Sequence, residues 1–497
     1  MAPLDLAVLV GYFALTITIG FWVTRGQRSA GDYFLGARDL PAWSILLSIV
    51  ATETSALTVI SVPGVGARGD LTFLQLTFGY LVGRLVVAWW LLPGYFAGKQ
   101  ETAYARLESR FGQGTRRLLS ACFLVTRFMG DGVRIFAGAI PLALVTGWSI
   151  PAAILAMGSI TLVYTYLGGL KAVVWADVVQ LVVYLAGGVA ALLIAWDLVG
   201  GAAASLAAAA EAGKLRVIDW TVDLTSTYTL LGGLVGGAML SAASHGTDQL
   251  IVQRLLATRS LADARVALVG SGIVVMFQFL LFLLVGVAIW SAGLAPDDLA
   301  ADAIFPRFIV EHLPPGIAGL VVAGILAAAM STISSSINAL ASSMTHDIYA
   351  GLTGRRDSAH LFRVGRAFSA GWGIALIGGA LLFEAYASGS DTPVVVLALS
   401  IASVTYGARL GTYLLAARWP RATGRDVVGS VAITVAVMLV VVFARRLAES
   451  GMDWLAPVGR LAWPWYVPLG TLLALCTGVV LSYLPSGGNS PSRSVSS

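Results

Sequence analysis

The chain has 497 residues, of which 58% are hydrophobic and 11% charged, with a formal net charge of +5 and two cysteines. Soluble domains carry about 25% charge, so this chain cannot cover a soluble surface, and its apolar runs repeatedly reach the roughly 20 residues that cross a bilayer as helix. No alternating-strand pattern supports a barrel, no cysteine spacing supports a disulfide framework or metal site, and the basic residues sit in short loops that set topology rather than bind nucleic acid.

In chain order, the first apolar run, 4–23, has no basic residue before it and holds Tyr12, Phe21 and Trp22 where a cleaved leader would carry small residues. It is read as a retained helix. Further spans are predicted at 41–66, 70–97, 115–147, 149–167, 173–199, 227–257, 263–293, 315–349, 361–385, 391–417, 423–445 and 465–485, which gives thirteen. The stretch ETAYARLESRFG after Lys99 reads as an amphipathic helix lying on the membrane surface. The loop 200–226, Ala-rich at first and then polar, is expected to carry a short surface helix, and the low-complexity tail 486–497 to be disordered. The domain reading is an extra helix over 1–30, a core over 31–430, C-terminal helices over 431–485 and that tail.

Charge orients the spans. With the N-terminus outside, twenty of the 31 Lys and Arg, Arg254 among them, fall in inner loops, seven fall in outer loops and four lie within spans. This bias predicts a multi-pass protein with its N-terminus outside and C-terminus inside, in the plasma membrane or, in a bacterium, the inner membrane.

Two spans look interrupted. The second carries ATETSALTVISVPGVG with Pro63 and Gly64, and the seventh carries GGLVGGAMLSAASHGTDQ, a Gly cluster followed by polar and ionisable residues. Broken helices five spans apart point to an inverted-repeat transporter, because unwound backbone frees carbonyls for a cation and N–H groups for an anion.

The ninth span, AAAMSTISSSINALASS, crowds Ser331, Thr332, Ser334, Ser335 and Ser336 into six positions. Sodium is a hard cation that several neutral oxygens can hold. Hydroxyls also serve as ordinary interhelical glue, worth about 0.6 kcal/mol each, but five together opposite a broken helix favour an ion site. In the fourth span, Arg127, Asp131 and Arg134 share one helix face. One carboxylate neutralises only one arginine, which leaves a cation suited to a carboxylate-bearing or otherwise anionic solute.

The ninth span, YTYLGGLKAVVWADVVQ around Asp177, and QLIVQRLLATRS after the seventh span together resemble the sodium/solute symporter family, which includes the bacterial sodium–galactose, sodium–proline and sodium–sialic acid symporters. The resemblance runs from about Gly31 to Arg425. It implies an all-α polytopic LeuT-type fold, with five-plus-five inverted repeats at about 41–199 and 227–417. It implies a sodium site formed by the carbonyls of Ala51, Thr54 and Ala328 and the hydroxyls of Ser331 and Thr332. A second sodium on Asp177, Ser331, Ser334 and Ser335 is also implied for some members, so one or two Na+ ions would be co-transported. The bland role for Asp177 is an ion pair, with Lys171 the candidate partner.

For substrate, the family's placement points to Glu53, Thr58, Gln75, Ser241, Ser244, His245 and Asp248, to which the charge argument adds Arg134. An ionisable group inside a span is costly and functional by default. The aromatic residue that closes the site in sugar-carrying relatives falls on Ser244, which departs from a galactose-like pattern. The partners expected are therefore a small polar solute (sugar, acidic sugar, carboxylate or amino acid), sodium and the lipid bilayer, without nucleic acid. The rivals are a proton-coupled symporter using Glu53 or Asp177 and a non-transporting membrane sensor. No HExxH or GxSxG constellation supports an enzyme.

Overall fold

The computed structural model describes residues 2–23, 27–98, 100–387 and 394–484. Within them the chain is helical, with one isolated bridge between Leu40 and Thr258. Eight of the described helices are long and apolar enough to cross a membrane, or nine when one bent pair counts as a span. The tail expected to be disordered lies outside the described residues.

Helix α1 (Pro3–Val23) precedes a short capped helix α2 (Ala30–Leu35). The next span is broken into α3 (Ala42–Glu53) and α4 (Ala56–Arg68), bent by 68°. The break falls at Thr54–Ser55, nine residues before Pro63. Both residues are extended, and Ser55 starts α4 with a reciprocal cap on Thr58. Pro63 lies inside α4 instead. There its missing N–H and the bare Cα of Gly64 allow close packing: a methyl on Gly64 would meet Ala301 O at 2.2 Å, and one on Gly286 would meet Pro63 O at 1.8 Å.

Helix α5 (Leu74–Ala97) leads to a short helix α6 (Ala105–Phe111), inside the stretch expected to be helical, and then to α7 (Gln113–Thr146). Helix α8 (Ile150–Asp197) is 48 residues long and turns at Gly169 (φ 52°, ψ −149°). Only glycine adopts that conformation readily, and a side chain there would strike Tyr33 O at 2.4 Å. The two predicted spans thus meet at a sharp corner at Gly169. Helix α9 (Ala202–Glu211) supplies the short helix expected in the following loop.

The second broken span consists of a wide turn (Gly232–Gly236), α10 (Gly237–Gly246) and α11 (Gln249–Leu256). The break lies at the polar end of the expected stretch rather than at its Gly cluster. The chain opens at Thr247–Asp248, and the Asp248 carboxylate caps α11 through Leu250 N. The glycines serve packing: methyls on Gly79 and Gly83 of α5 would lie 2.0 Å from Gly233 O and 2.3 Å from Ala238 O. Two small-residue stripes meet backbone to backbone.

Helices α12 (Leu261–Ser291) and α13 (Ala301–His312) follow. Then comes α14 (Ile317–Ser343), a long helix in which every residue from Val321 to Ser343 is buried. Its Ala, Ser and Gly side chains let helices close on all sides; a methyl on Gly324 would touch Tyr184 Cα at 2.8 Å. Helices α15 (Ser358–Ala387), α16 (Val394–Arg418), α17 (Gly424–Glu449) and α18 (Tyr466–Leu481) complete the bundle.

Candidate functional site

The hydroxyl-rich face of α14 lies against the break between α3 and α4. Ser335 Oγ and Thr52 Oγ1 are 3.1 Å apart, and Thr332 Oγ1 donates to Ala328 O at 3.1 Å. Ala51 sits in the last turn of α3 and Thr54 is its cap, where helix carbonyls lack intrahelical donors. Four of the five residues of the expected sodium site, Ala51, Thr54, Ala328 and Ser331, are buried to 2% exposure or less, and Thr332 to 3%. The Thr54 hydroxyl is itself clamped, receiving Gln278 Nε2 at 2.6 Å and Tyr184 Oη at 3.2 Å. Among the described residues, no group of three or more His, Cys, Asp or Glu could hold a metal ion. A cation here would rely on hydroxyls and carbonyls, as suits a monovalent ion.

Asp177 is fully buried at the centre of a second polar knot. It accepts Ser331 Oγ at 2.6 Å and Ser48 Oγ at 2.5 Å. Its ion-pair partner is Arg254 (3.2 Å), not Lys171. Arg254 also donates to Ser48 (2.9 Å) and to Ser335. Ser334 turns back to Ser331 O (3.1 Å) rather than to Asp177. Arg254, counted as a loop charge by sequence, is 1% exposed. It lies in the QLIVQR stretch, and its position at the end of a helix that re-enters the core cannot be read from hydropathy.

Beside these knots lies a cavity of about 160 Å³ whose lining includes Glu53, Arg134, Ser241, Ser244 and His245, all expected from sequence. A second cavity of about 240 Å³ shares Glu53 and Arg134 with it and adds Thr58. Gln75 takes no part: it is buried and bonded to Thr72 O and Tyr228 O (3.1 Å each) and to Asp219 N (2.9 Å). Sequence reasoning missed Arg84, a fully buried arginine on α5 that pairs with Glu53 and donates to Ser271 Oγ at 2.7 Å. An arginine in a span requires a partner, and that was the available signal. His245 Nε2 is 3.5 Å from the same carboxylate oxygen, and its Nδ1 is 2.8 Å from Ser244 Oγ.

Asp248 lies outside this cavity and joins three elements. It meets Arg127 of α7 at 3.4 Å and Arg409 of α16 at 2.9 Å. Asp131 accepts Arg127 (3.4 Å), Arg134 (2.9 Å) and Ser336. Among the described residues, formal charge in this cluster therefore does not balance. Arg84, Arg127, Arg134, Arg254 and Arg409 stand against Glu53, Asp131, Asp177 and Asp248. The surplus has an address, because the Arg134 side chain is 21% exposed and faces both cavities, whereas the other four are at most 8% exposed.

At the opposite end of α14, Asp347 accepts Thr102 Oγ1 and Arg116 Nε, both at 2.6 Å, and His346 Nδ1 lies 2.9 Å from Glu101. This ties the loop before α6 to the end of the hydroxyl-rich helix.

Comparison with known proteins completes the description. A sequence model described as the sodium:solute symporter family matches residues 33–428. The human sodium/iodide cotransporter is 34% identical over 359 residues, which cover 68% of this chain and 55% of the cotransporter. The sodium/sialic acid symporter SiaT of Proteus mirabilis is 29% identical over 358 residues, covering 70% of this chain and 72% of the relative. A solved Na+-coupled sialic acid symporter, in a substrate-bound outward-open state, superposes with a TM-score of 0.85 at 25% identity, over 96% of this chain and 97% of the other.

Proposed function

Because this chain belongs to the sodium:solute symporter family, we propose that it is a sodium-coupled secondary active symporter that imports a small polar solute by alternating access, and that the solute is an anion. One observation supports the coupling: α14, the helix that carries Ser331 and Thr332, meets the last turn of α3 through the Ser335–Thr52 contact. The unbalanced, cavity-facing Arg134 supports the anion. Two of the relatives above are named for anions, iodide and sialic acid.

The proposed architecture has thirteen spans around a five-plus-five inverted repeat, with the N-terminus outside. Gly169 divides α8 into two spans, and the opened backbones at Thr54–Ser55 and Thr247–Asp248 mark matching positions. The proposed sodium ligands are Ala51, Thr54, Ala328, Ser331 and Thr332. Asp177 with Ser331, Ser334 and Ser335 would take a second ion only if Arg254 withdrew.

Sodium moves inward down its electrochemical gradient, which is worth about 2.3 kcal/mol per charge per 100 mV. Its ligands come from both sides of the α3–α14 contact, so occupancy fixes the broken helix against α14 and shapes the cavity for the solute. A sodium ion nearby also adds positive potential to a cavity already cationic, so ion and anion favour each other's binding reciprocally. Solute binding closes the entry side, the broken spans rock together, and both cargoes leave inward.

The test compares melting of purified protein in sodium chloride and potassium chloride at equal ionic strength. A site with a dissociation constant near ~10 mM in ~100 mM sodium stabilises the fold by about 1.4 kcal/mol. That sodium-specific gain is expected to vanish in Ser331→Ala; equal melting in the two salts would remove the reading.

A further inference from the structure

Trp463 belongs to no element that the sequence singled out. It opens the turn Trp463–Trp465 leading into α18, the last span. Its side chain nevertheless lines both cavities, with Glu53, Ser55, Tyr80 and Arg134 as the other residues common to the two. It therefore stands at their junction, beside the arginine that carries the surplus charge.

Its position is held on both sides. Ala462 N donates to Leu224 O at 2.9 Å. Pro464 lies so close to the second broken span that a methyl on Gly236 would reach Pro464 O at 2.5 Å. Ala462 and Pro464 are buried while Trp463 between them is half-buried, so the turn is anchored and the indole faces the open space. The turn rides on the segment Gly232–Gly236, whose continuation α10 carries Ser241, Ser244 and His245 into the first cavity. A tilt of this broken span would carry the indole with it.

We propose that Trp463 is a substrate-contacting residue lent to the site by the C-terminal span. Its indole closes the junction over a bound anion and limits the size of solute that fits beside Arg134. The proposal rests on the reading of the first cavity as the solute site. A rigid aromatic with few rotamers makes a large contact at low entropic cost. Excluding water beside Arg134 strengthens the pull of its guanidinium on an anion, since charge interactions grow as the local dielectric falls. The closing aromatic of sugar-carrying relatives is absent at Ser244, and here an aromatic reaches the cavity from a different part of the chain.

The experiment uses full-length purified protein with Cys122→Ala and Cys476→Ala, and Ser244→Cys as a reporter inside the first cavity. The rate of its modification by a charged methanethiosulfonate reagent in sodium chloride is measured with Trp463, Trp463→Phe and Trp463→Ala. Removing the indole should speed modification about tenfold, with phenylalanine between, because the reporter becomes accessible without waiting for a minor open state. Equal rates in all three would overturn the proposal. Should Trp463→Ala fail to fold, Trp463→Phe decides alone: it must react faster than the tryptophan protein. The sodium–potassium melting comparison on the same samples separates the two ideas. Loss of the sodium-specific gain removes the symport reading, whereas the rate ratio judges Trp463.

Discussion

Arg254 Nη2 lies 3.2 Å from Asp177 Oδ2, and the same guanidinium also reaches Ser48 and Ser335. A side-chain cation thus sits among the oxygens that a second sodium ion would use. Replacing it by Met leaves a buried carboxylate without its counter-charge, an error that costs about 3–5 kcal/mol in known cases. The expected result is a large melting loss in potassium chloride that sodium chloride partly restores, as Na+ takes the vacated place. Equal loss in both salts would show that these oxygens hold no cation.

The Glu53–Arg84 pair predicts a compensating double variant. Arg84 is fully buried and Glu53 only partly so. Glu53→Gln alone should cost about 3 kcal/mol because it strands the guanidinium. Adding Arg84→Gln should recover part of that loss, a coupling that a double-mutant cycle in denaturant measures directly.

Arg134 and Arg127 should behave differently despite sharing a helix face. Arg127 bridges Asp131 and Asp248 and is 8% exposed, so Arg127→Ala should lower stability. Arg134 faces the cavities, so Arg134→Ala should weaken anion binding about 100-fold. Melting shifts with a panel of anions and their neutral analogues check this. Anion shifts that survive in Arg134→Ala would sink the anionic reading.

The glycine stripe predicts a sharp positional contrast. Gly79→Ala would drive a methyl to 2.0 Å from Gly233 O and should cost about 3 kcal/mol. Gly378→Ala meets nothing within 4 Å and should be neutral or stabilising by up to about 1 kcal/mol. Expression yield and melting temperature report both.

Glu101 gives a pH signature outside the spans. The close approach of His346 Nδ1 (2.9 Å), with Arg116 and Arg38 nearby, holds its carboxyl below the ordinary value of 4.5. A depressed folded value means that the stabilisation is complete above the ordinary value and fades as pH falls through the folded one. The stability gap between wild type and Glu101→Gln should be flat at neutral pH and close in acid. A gap that widens on acidification would contradict the assignment.

By itself the sequence determined that the chain is a helical membrane protein, and it located the hydroxyl cluster of α14, the two interrupted spans and the ionisable residues that line the cavity. Those features are local: hydropathy follows from composition over about 20 residues, and an intramembrane charge or a run of hydroxyls is visible wherever it stands. Local pattern marked the stretches that contain the breaks, but within them Pro63, Gly64 and the Gly cluster, which look like helix breakers, serve as surfaces where backbones touch. The partners were decided only by tertiary structure. Arg254 meets Asp177, 77 residues away; Arg84 meets Glu53 across a break; Gln75 turns from the cavity to a loop; and Trp463 arrives from the last span. A buried charge announces that it needs a counter-charge, but which one it receives depends on how the helices pack, and that is a property of the whole chain rather than of any segment.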